Sequence, residues 1–203
     1  MNEKVLNQAA ARTAVEGSSP IDRHPQRNDF AGGRSAAKRN PANRWHNLIV
    51  TNTAVALGSR MSGHKAEMYI SNMRVKLPNG LVSVPDLVLV NTAPSFGDQN
   101  ADLLLNPTIV IDVMPSETNS VDKTQRLESL LATDTVKECL LIKQDEMRIE
   151  HYTKQNAKQW LYRIYNERDD VITLDPINCK LSLSEIYAQV KFGQAEFSSR
   201  AVN

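Results

Sequence analysis

The chain has 203 residues, 41% of them hydrophobic, and a formal net charge of +1, which suits one domain with its own core and excludes a fibrous or wholly disordered class. No apolar stretch approaches the roughly 20 residues of a membrane span, and the N-terminus lacks the apolar segment of a secretory signal, so the expectation is a cytoplasmic protein with no membrane partner. The two cysteines, Cys139 and Cys179, lack C-x-x-C or Cys/His ligand spacing and read as buried or idle thiols.

Residues 1–45 carry eight Lys/Arg against four Asp/Glu, leaving 16 against 19 for the remainder. Rich in Ala, Arg, Asn, Gly, Ser and Pro, this stretch has too little apolar matter to build a core, so a disordered basic extension is expected. Its charge could help to hold a phosphate backbone, although a solvated arm is the plainer reading. Order is expected from residue 46 to residue 192, with 193–203 as a C-terminal tail.

Over residues 46–61, Leu48, Ile49, Val55, Ala56 and Leu57 cluster at helical spacing; Asn43 or Asn47 can cap the start, and Gly58 and Gly63 punctuate the end. Residues 68–77 read as a strand, turned by Pro78-Asn79-Gly80 into the strand that carries Asp86. A long loop with a short apolar patch at residues 103–105 leads to an apolar run over 108–114 that suits a central strand covered on both faces. A helix over 121–132, a buried strand over 139–142, strands with one wet face over 147–152 and 160–165, and a short helix from Leu181 through Val190 complete the order. This is an α/β pattern, a mixed central sheet flanked by helices.

Asp86 lies in Val84-Pro85-Asp86-Leu87-Val88-Leu89-Val90 and Asp112 in Ile109-Val110-Ile111-Asp112-Val113-Met114. A carboxylate buried without a partner costs several kcal/mol, so each acid needs a donor, a cation or a metal ion. Two acids on neighbouring strands form a ligand set suited to Mg²⁺, which takes one or two carboxylates plus waters, with the Val113 carbonyl able to complete it. Buried acids also serve as structural hydrogen-bond acceptors, and spacing does not separate the two uses. Tyr152, Trp160, Tyr162 and Tyr165 lie on expected strands, where they can stack on bases or pair across strands.

Pro85-Asp86, the run Asn106-Pro107-Thr108-Ile109-Val110-Ile111-Asp112-Val113-Met114, then Ser116-Glu117-Thr118, Asp122, and Leu140-Leu141-Ile142 before Gln144-Asp145 resemble the Uma-two family, a branch of the PD-(D/E)XK nuclease superfamily. The resemblance runs over residues 46–192 and implies a restriction-endonuclease-like core. It implies metal-dependent cleavage of nucleic acid, DNA in the first instance, with Mg²⁺ or Mn²⁺ as cofactor and a homodimer as a natural arrangement. Asp86 matches the family's metal-binding aspartate. Asp112 stands where the family has glutamate, and Met114 where the superfamily has lysine. The family's basic residue on the following helix is Arg126 here, with Lys123 three positions earlier on the same helix face. Asn72 replaces a frequent aspartate, His46 matches a histidine common in the family, and residues 1–45 show no counterpart of the family's N-terminal glutamate-bearing strands.

A guanidinium stays protonated and cannot act as a general base, so Arg126 is suited to holding phosphate. Two readings follow from the resemblance: an endonuclease using Asp86, Asp112 and either Lys123 or Arg126, and a catalytically degenerate nucleic-acid-binding or protein-interaction domain. A third is purely structural, with both acids merely hydrogen-bonded.

Overall fold

In a computed structural model, residues 43–61, 65–114 and 120–192 are described, those of 120–123 without their side chains. The expectations for the basic extension, the C-terminal tail and Gly63 therefore lie outside the described residues, apart from Asn43, Arg44 and Trp45. Asn43 is the N-cap of the first helix, its Oδ1 accepting the backbone N–H of His46 at 2.9 Å and so satisfying one donor of the helix start. That helix, α1 (Arg44–Arg60), continues through Gly58, and Met61 is its C-cap. One glycine costs about 1 kcal/mol in a helix interior, less than the contribution of burying Ile49, Thr53, Ala56 and Leu57 on the inner face.

The single strand expected over residues 68–77 is two, β1 (Glu67–Ile70) and β2 (Arg74–Lys76). Between them Ser71 and Asn72 take φ of 51° and 66°, left-handed backbone that no strand can continue through. The Pro78-Asn79-Gly80 turn leads to β3 (Val82–Ser83), and Gly80 supplies the positive φ of 79° that the turn needs. The hairpin is thus bent: β2 pairs antiparallel with β3, while β1 pairs antiparallel with β4 (Leu87–Val90). The apolar patch of the long loop is β5 (Leu103–Leu104), which adds to β2 in parallel.

The chain continues with β6 (Ile109–Met114), α2 (Ser120–Leu131), β7 (Glu138–Lys143), β8 (Ile149–Asn156) and β9 (Gln159–Tyr165). A β10 (Val171–Leu174) and β11 (Cys179–Ser182) hairpin, which sequence patterning does not reveal, precedes α3 (Leu183–Ile186). That last helix ends four residues short of Val190. Its start carries a capping box, with Ser182 and Glu185 satisfying each other's backbone N–H groups.

The main sheet has the order β1-β4-β6-β7-β8-β9, antiparallel except for β6 and β7, which α2 joins by a crossover. Side chains alternate between its faces. Leu87, Leu89, Ile109, Ile111, Leu140 and Ile142 meet α1, α3 and the β10–β11 hairpin. Val88, Val90, Val110, Met114, Cys139 and Leu141 meet Leu130 of α2 and Val75 and Leu104 of the small sheet. Both faces are covered, which is why β4, β6 and β7 read as near-continuous apolar runs.

The expected alternation fails in the last two strands of the main sheet. The first three residues of β8 are all buried, and β9, at the sheet edge, is exposed along most of its length. Tyr152 and Tyr162 pair across these strands with ring centroids 4.9 Å apart. Behind them Glu138, almost fully buried, bonds His151 Nε2 at 2.9 Å and accepts the Asp175 N–H at 3.0 Å, tying β7 to β8 and to the turn after β10.

Leu140 is wholly buried and Ile164 is 44% exposed. Leu140→Ala should lower unfolding free energy by about 2–5 kcal/mol, and Ile164→Ala by no more than about 0.5 kcal/mol, as read by urea titration. Burial, aided by the Asp112 carboxylate and opposed by Arg126, pushes the Cys139 thiol well above its ordinary range. The folded chain then keeps a proton that the unfolded chain loses above about pH 8.5. The contribution of this thiol to stability should be constant below that pH and decline above it, and Cys139→Ala should flatten the decline between about pH 8.5 and 10.

Candidate active site

Antiparallel pairing of β4 with β6 sets Leu87 opposite Ile111. One residue beyond that last pair, the same register carries Asp86 to Asp112. The backbone N–H of Asp86 donates to Asp112 Oδ1 at 3.3 Å. The backbone N–H of Val113 donates to Asp86 Oδ2 at 2.8 Å, so the Asp86 carboxylate continues the ladder where β4 has stopped. Both acids are 2% exposed. Along β6, Asp112 shares the parity of Val110 and Met114, which puts its side chain on the α2 face.

Two further elements converge on the pair. The first turn of α1 brings His46, whose Nε2 lies 3.2 Å from Asp86 Oδ1. Its backbone is held by the Asn43 cap, so one residue both starts the helix and reaches the acid. Helix α2 brings Arg126, whose Nη2 donates to Asp112 Oδ1 at 2.9 Å and lies 3.4 Å from the Val84 carbonyl oxygen. The result is a chain of contacts from His46 through Asp86 and Asp112 to Arg126. In it, buried negative charge is met by backbone N–H groups, an imidazole and a guanidinium.

Of the residues singled out from the sequence, Asp86, Asp112, Val113 and Arg126 come together. Lys123 lies in α2, and its side chain falls outside the described residues. Met114 is buried against the α2-side core and offers no polar group. Asn72 is exposed in the left-handed bend, next to Ser71, whose N–H donates to the Asp86 carbonyl oxygen at 2.8 Å. The contact of His46 was not apparent from sequence, because a helix-start histidine and an acid-binding one look alike there. Glu150, another buried acid, was also missed; it pairs with Leu141, which pairs with Asp112, so it lies on the same sheet face two strands away. The Tyr152 hydroxyl donates to Glu150 at 3.3 Å, and Arg148 Nε lies 3.7 Å from it.

The oxygen donors of Asp86 and Asp112 suit a hard divalent cation such as Mg²⁺, which needs only one or two protein carboxylates and completes its shell with water and substrate. Among the described residues no group of three or more His, Cys, Asp or Glu is arranged to hold a metal ion, which disfavours an all-protein cage of the structural zinc type.

Among known proteins, the chain is 27% identical over 117 residues to the Uncharacterized protein sll1609 of Synechocystis sp., a match spanning 57% of this chain and 66% of that protein, just under two thirds of its length. The fold is similar to the crystal structure of a "putative nuclease belonging to DUF820" from Anabaena variabilis, with a TM-score of 0.62, 17% identity, and coverage of 76% of this chain and 86% of that one. The restriction-endonuclease-like α/β architecture expected from the sequence is therefore the one found. No described helix is long and apolar enough to cross a membrane. The Uma2 family, described as "Putative restriction endonuclease", matches residues 19–185 and so begins upstream of residue 46, where the resemblance was expected to start. With both acids on adjoining strands of this fold and the family match covering most of its length, the chain belongs to the Uma2 family.

Proposed function

We propose that the protein is a divalent-metal-dependent endonuclease acting on DNA, with Asp86 and Asp112 as the metal ligands and the Val113 carbonyl as a third. The observation that carries this reading is the side-by-side burial of two carboxylates at the end of the β4–β6 ladder, beside a guanidinium. A divalent cation bound there would neutralise the scissile phosphate and lower the pKa of the attacking water. His46 positions Asp86 through its Nε2 contact, and the Val113 N–H fixes the second oxygen of the same carboxylate. Arg126, always protonated, holds the phosphate and offsets the charge that develops as the ester bond breaks, a role Lys123 on the same helix can share. A two-fold dimer would present two such sites to two antiparallel strands.

A second reading is favoured by one contact. Arg126 already neutralises Asp112 at 2.9 Å, as it would in a domain that keeps the fold for binding alone. Incubation of supercoiled plasmid and of single-stranded DNA with Mg²⁺ or Mn²⁺ separates the two readings. An endonuclease nicks or cuts in a metal-dependent manner, and Asp86→Asn, which removes charge and keeps volume, lowers the rate by at least a hundredfold while the melting temperature stays within a few degrees. Undiminished cleavage in that variant would sink the site assignment. Absence of cleavage by the folded wild-type chain, with DNA still retarded in a gel, would establish the binding domain instead.

A further inference from the structure

The Arg126–Asp112 contact bears on metal binding itself. Asp112 is a single carboxylate on a short stem, its side chain 3% exposed, and Oδ1 already accepts from both the guanidinium and the Asp86 N–H. The Arg126 guanidinium offsets one of the two carboxylate charges brought together here. A dication arriving beside the guanidinium adds two positive charges to the cluster, whereas a dication arriving in its place adds one. In a site this dry, unbalanced charge is costly, so replacement is favoured over addition. A lysine could clear the way by losing a proton on burial; an arginine cannot. Its route out is mechanical, and it is open: the Arg126 side chain is 29% exposed, ten times the exposure of its partner's.

We propose that Arg126 is a built-in counter-ion that competes with the divalent cation for Asp112, so that the metal binds only as the guanidinium leaves the carboxylate. This rests on the reading of Asp86 and Asp112 as metal ligands and assigns how that site is regulated. A nucleic-acid phosphate near the cluster gives the displaced guanidinium a new partner. Substrate and metal therefore strengthen each other's binding, as any such linkage must be reciprocal. Without substrate, the site rests as a closed ion pair with weak affinity for metal.

The test is calorimetric titration of the full-length chain with Mn²⁺ alone, together with thermal melts in the presence and absence of Mn²⁺. Arg126→Gln removes the charge and leaves a shorter, neutral side chain that can still hydrogen-bond. It should bind Mn²⁺ at least tenfold more tightly than wild type, melt at a lower temperature without metal, and gain more from Mn²⁺ than wild type does. Asp86→Asn should abolish binding in both backgrounds. A folded Arg126→Gln that binds Mn²⁺ no more tightly than wild type, while Asp86→Asn still abolishes binding, overturns the counter-ion role and leaves the metal site standing. Wild-type binding that survives Asp86→Asn removes the metal site itself, and Mn²⁺ bound by neither folded protein removes both. Should Arg126→Gln not fold, Arg126→Lys keeps the charge but loses the planar fork. Its Mn²⁺ affinity should rise about threefold, and an unchanged affinity counts against the proposal.

Discussion

Two carboxylates placed side by side in the interior are the constraint around which this molecule is arranged. Each would be expensive alone, and together they repel. Their neighbours answer that cost from four directions: the Val113 N–H on β6, the Asp86 N–H at the start of β4, His46 at the head of α1 and Arg126 on α2. Four elements, β4, β6, α1 and α2, are thus held to one point. Moving α1 or α2 would cost a buried acid one of its partners.

The sheet topology makes that convergence possible. Antiparallel pairing of β4 with β6 brings residues 26 positions apart into contact, and the crossover from β6 through α2 to β7 returns a helix over the face on which Asp112 projects. The bend at Ser71 and Asn72 peels β2 away from the main sheet, so that β2, β3 and β5 form a separate cap over the α2-side core. Glu138, His151 and the Asp175 N–H make a second polar tie on the opposite face. It joins the hairpin that covers that face to the strands beneath.

Family membership establishes the scaffold, while chemistry resides in the particular side chains set on it. Asp112 and Arg126, the two positions at which the sequence resemblance leads one to expect other residues, meet in one contact. The Arg126 guanidinium reaches the short Asp112 carboxylate at 2.9 Å.

Much of this was decided by local sequence. The largely apolar runs of β4, β6 and β7 predict buried strands, because exposing nearly all their side chains to water costs free energy. The Asn43 cap, the Pro78-Asn79-Gly80 turn and the anomaly of Asp86 and Asp112 are equally legible, since each follows from the chemistry of a few adjacent residues. Other features are not local. Whether residues 68–77 form one strand or two depended on a backbone bend that Asn and Ser tolerate but do not dictate. The exposure of β9 depended on its place at the sheet edge, and the β10–β11 hairpin is stabilised by the core it covers. Sequence alone established that two buried acids needed partners. Only the tertiary structure decided who the partners are, because strand register and helix crossover set distances between residues that the chain itself keeps far apart.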